Sequence, residues 1–168
     1  MKGMLNDSNM NISPIVVYVD ADACPVKNEI VDLCRTYEVD MVFVSSYAHF
    51  LSLPKPAKIV TVDEEKEAVD LYVANHAKKG DICVTQDHAL ASLLLAKGMY
   101  VLSPRGKEFT EKDMDQLLDV RFLSQKQRRM GKRTKGPKPY NQEDREQFKA
   151  NLKKILEKKA GLSQKSSN

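Results

Sequence analysis

Several aspartates stand where an apolar run gives way to polar residues, which is where an α/β protein collects its chemistry. Asp20 and Asp22 directly follow IVVYV (Ile15 to Val19), Asp63 follows AKIVTV, and Asp87 follows ICVT after a single Gln. Asp70 lies in KEAVD, with Glu67, at the start of the segment after the third run. Ligands of open α/β sheets bind at the carboxyl ends of the strands, so these side chains are expected on one edge. Carboxylates brought together repel and resist ionisation unless a cation compensates them. Hard oxygen donors of this kind suit Mg²⁺ or Mn²⁺, and such an ion can activate a water against a phosphodiester. A single Asp after a strand is commonly just a helix cap or turn residue; the set on one edge carries the signal. Asp81 precedes its strand and is expected at the opposite edge in a structural role.

Other reactive side chains say less. His49, His76 and His88 fit no metal-ligand spacing; His88, beside Asp87, is a candidate for contact with a substrate phosphate. Cys24, Cys34 and Cys83 form no C-x-x-C pair and leave an odd count, which argues against a disulfide framework or a cysteine zinc site and for reduced thiols. Cys24, at a helix start, is read as a packed thiol.

The elements that must position these residues follow from hydrophobic periodicity. Short β-branched runs at Ile15 to Val19, Met41 to Val44, Ala57 to Val62, Ile82 to Thr85 and Met99 to Leu102 read as strands buried on both faces. Helical spacing follows the first (Val26, Ile30, Leu33, Cys34, Tyr37), the third (Ala68, Val69, Tyr72, Val73) and the fourth (Leu90, Leu93, Leu94). Alternation of this kind predicts a three-layer α/β fold, a mostly parallel sheet of about five strands with flanking helices. It stops at Pro104-Arg105-Gly106. Beyond it, Thr110-x-x-Asp113 reads as a capping box opening a helix, and Asn141 as the cap of a last helix with Phe148, Leu152, Ile155 and Leu156 on one stripe. The expected organisation is a leader over 1–13, an α/β core over 14–108, a helical basic extension packed on the core over 109–159 and a disordered tail over 160–168.

Charge is unevenly spread. Eight Lys or Arg and no Asp or Glu lie between Val120 and Gln142, so the net charge of +4 divides into +8 there and −4 on the remainder. A basic stretch beside an acidic pocket is a coherent nuclease arrangement, with the cations attracting the phosphate backbone that the metal site cuts. Few aromatics interleave the run, so base stacking is not strongly indicated. The chain has no apolar stretch long enough to span a bilayer, and its start lacks the apolar core of a signal peptide; a cytoplasmic protein is expected.

Four ordered motifs, VDADACPVKNEI, GDICVTQDHALA, SPRGKEFT and TKGPKPY, together resemble the YaiI/YqxD family of small bacterial proteins, from about Ile15 to Leu156. That family is itself uncharacterised and looks like a distant relative of the PIN and NYN nuclease-like domains. The resemblance implies a PIN/NYN-like core in which Asp20, Asp70 and Asp87 surround a divalent cation, with Asp22 as an additional carboxylate. Glu67 stands where the family usually has Asp, and TKGP replaces T-G-G-P while keeping Gly136. The function expected is hydrolysis of RNA phosphodiesters by Mg²⁺ or Mn²⁺ held on Asp20, Asp22, Asp70 and Asp87. Lys27, Arg105, Arg128, Arg129, Lys132, Arg133 and Lys135 are expected to position phosphates. Two alternatives stand beside it: a nucleic-acid-binding protein without catalysis, and a haloacid-dehalogenase-like phosphatase using Asp20-x-Asp22 as nucleophile and acid–base pair.

Overall fold

The computed structural model describes residues 14–46, 52–65, 67–115 and 138–167, with side chains to 159. In chain order the elements are β1 (Val16–Asp20), a 3₁₀ turn (Ala21–Ala23), α1 (Lys27–Thr36), β2 (Asp40–Ser46), β3 (Lys58–Val62), α2 (Ala68–His76), β4 (Ile82–Val84), α3 (His88–Ala96), β5 (Tyr100–Leu102), β6 (Glu108–Phe109) and α4 (Gln142–Ser167). A helical turn occupies 111–115. The leader and His49 fall outside the described residues, as do 128–135 with Arg128, Arg129, Lys132, Arg133 and Lys135.

One sheet holds all six strands in the order β3-β2-β1-β4-β5-β6. The first five pair in parallel, and β6 runs antiparallel to β5 with Val101 opposite Phe109. Sequence periodicity shows five strands; the sixth has only two residues, too few for a period to register. The chain moves outward from β1 through β2 to β3, returns by α2 to β4 on the other side of β1, and continues to β5. The order therefore reverses between β1 and β4, which makes their carboxyl ends the crevice where doubly wound sheets bind ligands.

Continuous apolar runs are explained by burial on both faces. Val17, Val19, Phe43, Ile82, Val84 and Leu102 face α1 and α4, whereas Tyr18, Val44, Cys83 and Val101 face α2 and α3. On the first face, Phe148, Leu152 and Leu156 of α4 are fully buried. At about 1.5–3 kcal/mol for each such side chain, α4 belongs to the core's own energetics. Its N-terminus is closed reciprocally: the Asp144 N–H donates to Asn141 Oδ1 at 2.8 Å and the Asn141 N–H to Asp144 Oδ2 at 3.1 Å. The helix continues to Ser167, so the stretch from Ala160, expected as a disordered tail, has helical backbone. No proline interrupts it, and the single Gly161 costs a helix only about 1 kcal/mol.

The Thr110–Asp113 box also forms, with the Thr110 N–H donating to Asp113 Oδ2 at 3.0 Å and the Asp113 N–H to Thr110 Oγ1 at 3.2 Å. Asp81, buried at the amino edge, accepts from the Val16 N–H at 3.0 Å and the Lys78 N–H at 2.9 Å. It ties β1 to the turn before β4, the structural role its position suggests.

Candidate active site at the carboxyl edge

Asp20 is the last residue of β1, and in the ladder Val19 pairs with Val84. The next pair across these strands is thus Asp20 and Thr85, whose hydroxyl donates to Asp20 Oδ2 at 3.1 Å. Asp87 is the N-cap of α3, its Oδ1 accepting the Leu90 N–H at 3.0 Å. The capping role common to such aspartates is therefore real for Asp87, and it employs one carboxyl oxygen. Asp70, in the first turn of α2, lies close enough to Asp87 for that carboxyl to raise its own. Three elements distant in sequence thus converge at the reversal of strand order.

Electrostatics follow from that convergence. Partial burial first, then Asp87, Asp20 and Glu67, push the Asp70 carboxyl up to about 6. Burial, followed by the charges of Asp22 and Asp87, raises Asp20, and the hydrogen bond from Thr85 offsets part of the rise. Beneath them Cys83 is fully buried and raised by that burial, then by Asp20, Asp70 and Asp87. Burial also pushes Cys24 up to about 11, so it is a packed thiol rather than an activated one.

The remaining expected site residues are placed differently. Asp22 accepts from the Ser45 hydroxyl at 2.9 Å and from the Ser46 N–H at 3.1 Å, which binds the turn after β1 to the end of β2. Asp63 is exposed at the end of β3, two strands from β1. Glu67 is exposed at the N-cap of α2. His88 packs edge-on against Phe109, with ring centroids 5.6 Å apart. The Lys27 ammonium donates to Cys24 O at 2.6 Å, close to the turn that follows Asp20. Arg105 pairs with Asp144 at 2.8 Å and also donates to Lys138 O, anchoring the entry to α4. Tyr140 completes that anchor, its hydroxyl donating to Pro104 O at 2.8 Å and its ring lying 5.7 and 5.4 Å from the guanidinium carbons of Arg105 and Arg145. Sequence reasoning missed Thr85, which hides as the last letter of an apolar run, and Arg145, which pairs with Glu29 across α1.

The donor chemistry bears on the implied cation. Asp87 lies near enough to raise the Asp70 carboxyl, and a cation beside them would relieve that repulsion. Among the described residues, no group of three or more His, Cys, Asp or Glu side chains is spaced to hold a metal ion. Mg²⁺, however, commonly binds through one or two carboxylates and keeps several waters. Asp70 and Asp87 are the two carboxyls that would have to supply it. A dinucleotide site at the same crevice is disfavoured, because DADACP supplies carboxylates where a phosphate needs a glycine-rich turn.

The molecule is thus a doubly wound α/β domain that brings carboxyls together where its strand order reverses. The chain belongs to the YaiI/YqxD family: the family model described as an uncharacterized BCR, YaiI/YqxD family, matches residues 18–158. It is similar to a UPF0178 protein of Halalkalibacterium halodurans, 55% identical over 146 residues that cover 87% of this chain and 93% of the relative. A UPF0178 protein of Shouchella clausii is also 55% identical over 146 residues, covering 87% and 95%. One from Listeria monocytogenes is 45% identical over 143 residues, covering 85% and 98%. No solved structure matches this chain. Among the described residues no helix is long and apolar enough to cross a membrane.

Proposed function

We propose that this protein is a divalent-metal-dependent nuclease that hydrolyses RNA phosphodiesters at the carboxyl edge of its sheet. The observation that carries the reading is the meeting of Asp20, Asp70 and Asp87 at the β1–β4 reversal, with Asp70 held near 6 by its neighbours. Charge that a fold forces together without a stabilising purpose is a mark of a site. In this reading Asp70 and Asp87 would hold Mg²⁺ or Mn²⁺ through two carboxylates and waters, and Asp20 adds negative charge nearby. Such an ion supplies an acidified water and neutralises charge on the phosphoryl oxygen. Asp22, committed to Ser45 and Ser46, sets the turn that presents Asp20. The +8 stretch would attract the backbone without selecting its sequence.

The bonds to Asp22 also weigh against the phosphatase reading, which needs that carboxyl to exchange protons with substrate. The binding-only reading draws on the basic stretch alone, since those cations attract RNA whether or not the carboxyls do chemistry. Cleavage of a mixed RNA pool in Mn²⁺ decides between them. The nuclease reading expects cutting by the wild type that disappears with chelator and in both Asp20→Asn and Asp87→Asn. Intact RNA in every metal, with salt-sensitive binding retained, would assign the protein to binding alone.

A further inference from the structure

We propose that the outer face of α2 and α3 pairs with the same face of a second copy of this chain, the two copies related by a twofold axis. The two helices lie side by side over one face of the sheet. They have apolar residues all round, AVDLYVANH in α2 and HALASLLLA in α3. A helix with one side in water normally keeps its charges there. α1 and α4 do so, exposing Asp32 and Arg35 on the one and Lys153, Lys154, Glu157 and Lys158 on the other. The exposed residues of α2 and α3 include no Asp, Glu, Lys or Arg. They do include Leu71, 58% exposed, and Leu93, 50% exposed, the large apolar side chains left open among the described residues.

Charges around this neutral face decide what fits it. Each helix connects two parallel strands, so both N-termini lie at the carboxyl edge and both C-termini at the amino edge. At the first end the sequence DEEKE has four carboxylates and one lysine, and Asp63, Glu64, Glu65 and Glu67 are exposed. At the other end stand Lys78, Lys79 and Lys97, also exposed. The Lys97 ammonium donates to Ala74 O at 2.5 Å and to Ala77 O at 2.9 Å, and Lys79 Cγ lies 3.0 Å from where a Cβ on Gly98 would stand. The three cations therefore gather across both helix ends. A surface acidic at one end, neutral in the middle and basic at the other is complementary to itself once turned by half a revolution. An axis near Leu71 and Leu93 sets each acidic end against the other copy's basic end and buries the leucines together. A foreign partner would need that pattern independently, whereas a second copy always has it. With nine residues in each helix the face measures about 14 Å by 20 Å, at the small end of specific interfaces, which suits a reversible dimer at micromolar chain concentration.

The test is sedimentation velocity of the full chain from about 1 to about 300 µM at low salt. We expect a dimer whose fraction rises over that range. In Leu71→Asp/Leu93→Asp, which gathers like charges at the axis, the dissociation constant should rise at least about tenfold. Charge reversal gives the sharper arm. Glu64→Lys/Glu65→Lys and Lys78→Glu/Lys79→Glu each make the facing ends alike and weaken the dimer. The chain holding all four changes reverses both ends at once, and is expected to associate at least about threefold more tightly than either two-change parent. A wild type that stays monomeric at every concentration overturns the proposal. So does a dimer indifferent to both leucines, or a four-change chain no tighter than its parents, since the copies would then meet elsewhere or without this pairing of ends. If Leu71→Asp/Leu93→Asp does not fold by circular dichroism, Leu71→Ser/Leu93→Ser takes its place, with weakening again expected and unchanged association again overturning the proposal.

Discussion

A carboxyl held near 6, as Asp70 is, makes the metal-free fold most stable where the site is least ionised. Its folded value lies above the ordinary 3.8, so between about 4 and 6 the folded chain binds more protons than the unfolded one. Stability contributed by this group is therefore present at low pH and lost as pH rises through that window. Asn resembles the protonated acid and carries no charge to repel. In chelator-treated protein at pH 7, Asp70→Asn is expected to be more stable by about 1 kcal/mol, a figure reduced for the exposure of the carboxyl. Urea midpoints at pH 4, 5 and 7 check this: the variant's advantage should appear only above about pH 5, and a variant no better than wild type at pH 7 removes the repulsion argument. The cysteines give a second prediction at this scale. Cys24 is pushed up to about 11 and Cys34 to about 12, each chiefly by burial. With Cys83 also buried, none of the three should react with an aromatic disulfide at pH 8 until denaturant is added. Rapid labelling of native protein would show a thiol that is more open than this packing allows.

Elements locate the site, and one of them depends on a backbone position. Gly106, in the turn between β5 and β6, has φ +94°, and a Cβ there would lie 2.7 Å from Phe148 N and 2.8 Å from Gln147 C. Its carbonyl accepts from Asn151 Nδ2 at 2.5 Å. The turn and the second turn of α4 are thus in backbone contact, which no flexible side chain can relieve. Gly106→Ala is expected to cost about 2 kcal/mol or more, because both the left-handed conformation and the contact resist the methyl. Urea unfolding measures it; a change below about 0.5 kcal/mol would mean that α4 docks without that contact. The motif SPRGKEFT therefore has a mechanical reason. Apolar periodicity made the five parallel strands and three following helices legible, since burial on both faces leaves unbroken runs such as IVVYV. Carboxyl-edge residues were partly legible for the same reason: Asp20 is the first polar letter after its run and Asp87 follows its run after one Gln, whereas Asp70 lies a turn into the following helix. Strand order was not, because β1 and β4 are neighbours only through a return connection that no local pattern records. Asp63 looked equivalent to Asp20 along the chain and was separated from it only by that order. Arg105 looked like a free cation until its partner Asp144, 39 residues on, was in place.

At the scale of the whole molecule, the proposed reading gives the −4 body and the +8 stretch separable contributions to one ligand. The basic stretch would act through counterion release, which depends on the number of phosphates contacted and not on the carboxyl edge. The acidic pocket, on the same reading, would act on the one phosphodiester that reaches it. Replacing Arg128, Arg129, Lys132 and Arg133 together with Gln is therefore expected to weaken binding of a single-stranded RNA at every sequence. It should also flatten the slope of log affinity against log salt by about 3, at roughly 0.7 per lost contact. Asp87→Asn should do neither, and with chelator present its affinity should equal or exceed the wild type's, because one repelling charge has gone. Filter binding across a salt series measures both. A slope unchanged in the fourfold variant would place the phosphate contacts elsewhere, with Lys27 as the next residue to replace. A slope altered by Asp87→Asn would mean that the two charge systems are not independent. The division of the net charge of +4 would then describe the sequence without describing how the molecule holds its ligand.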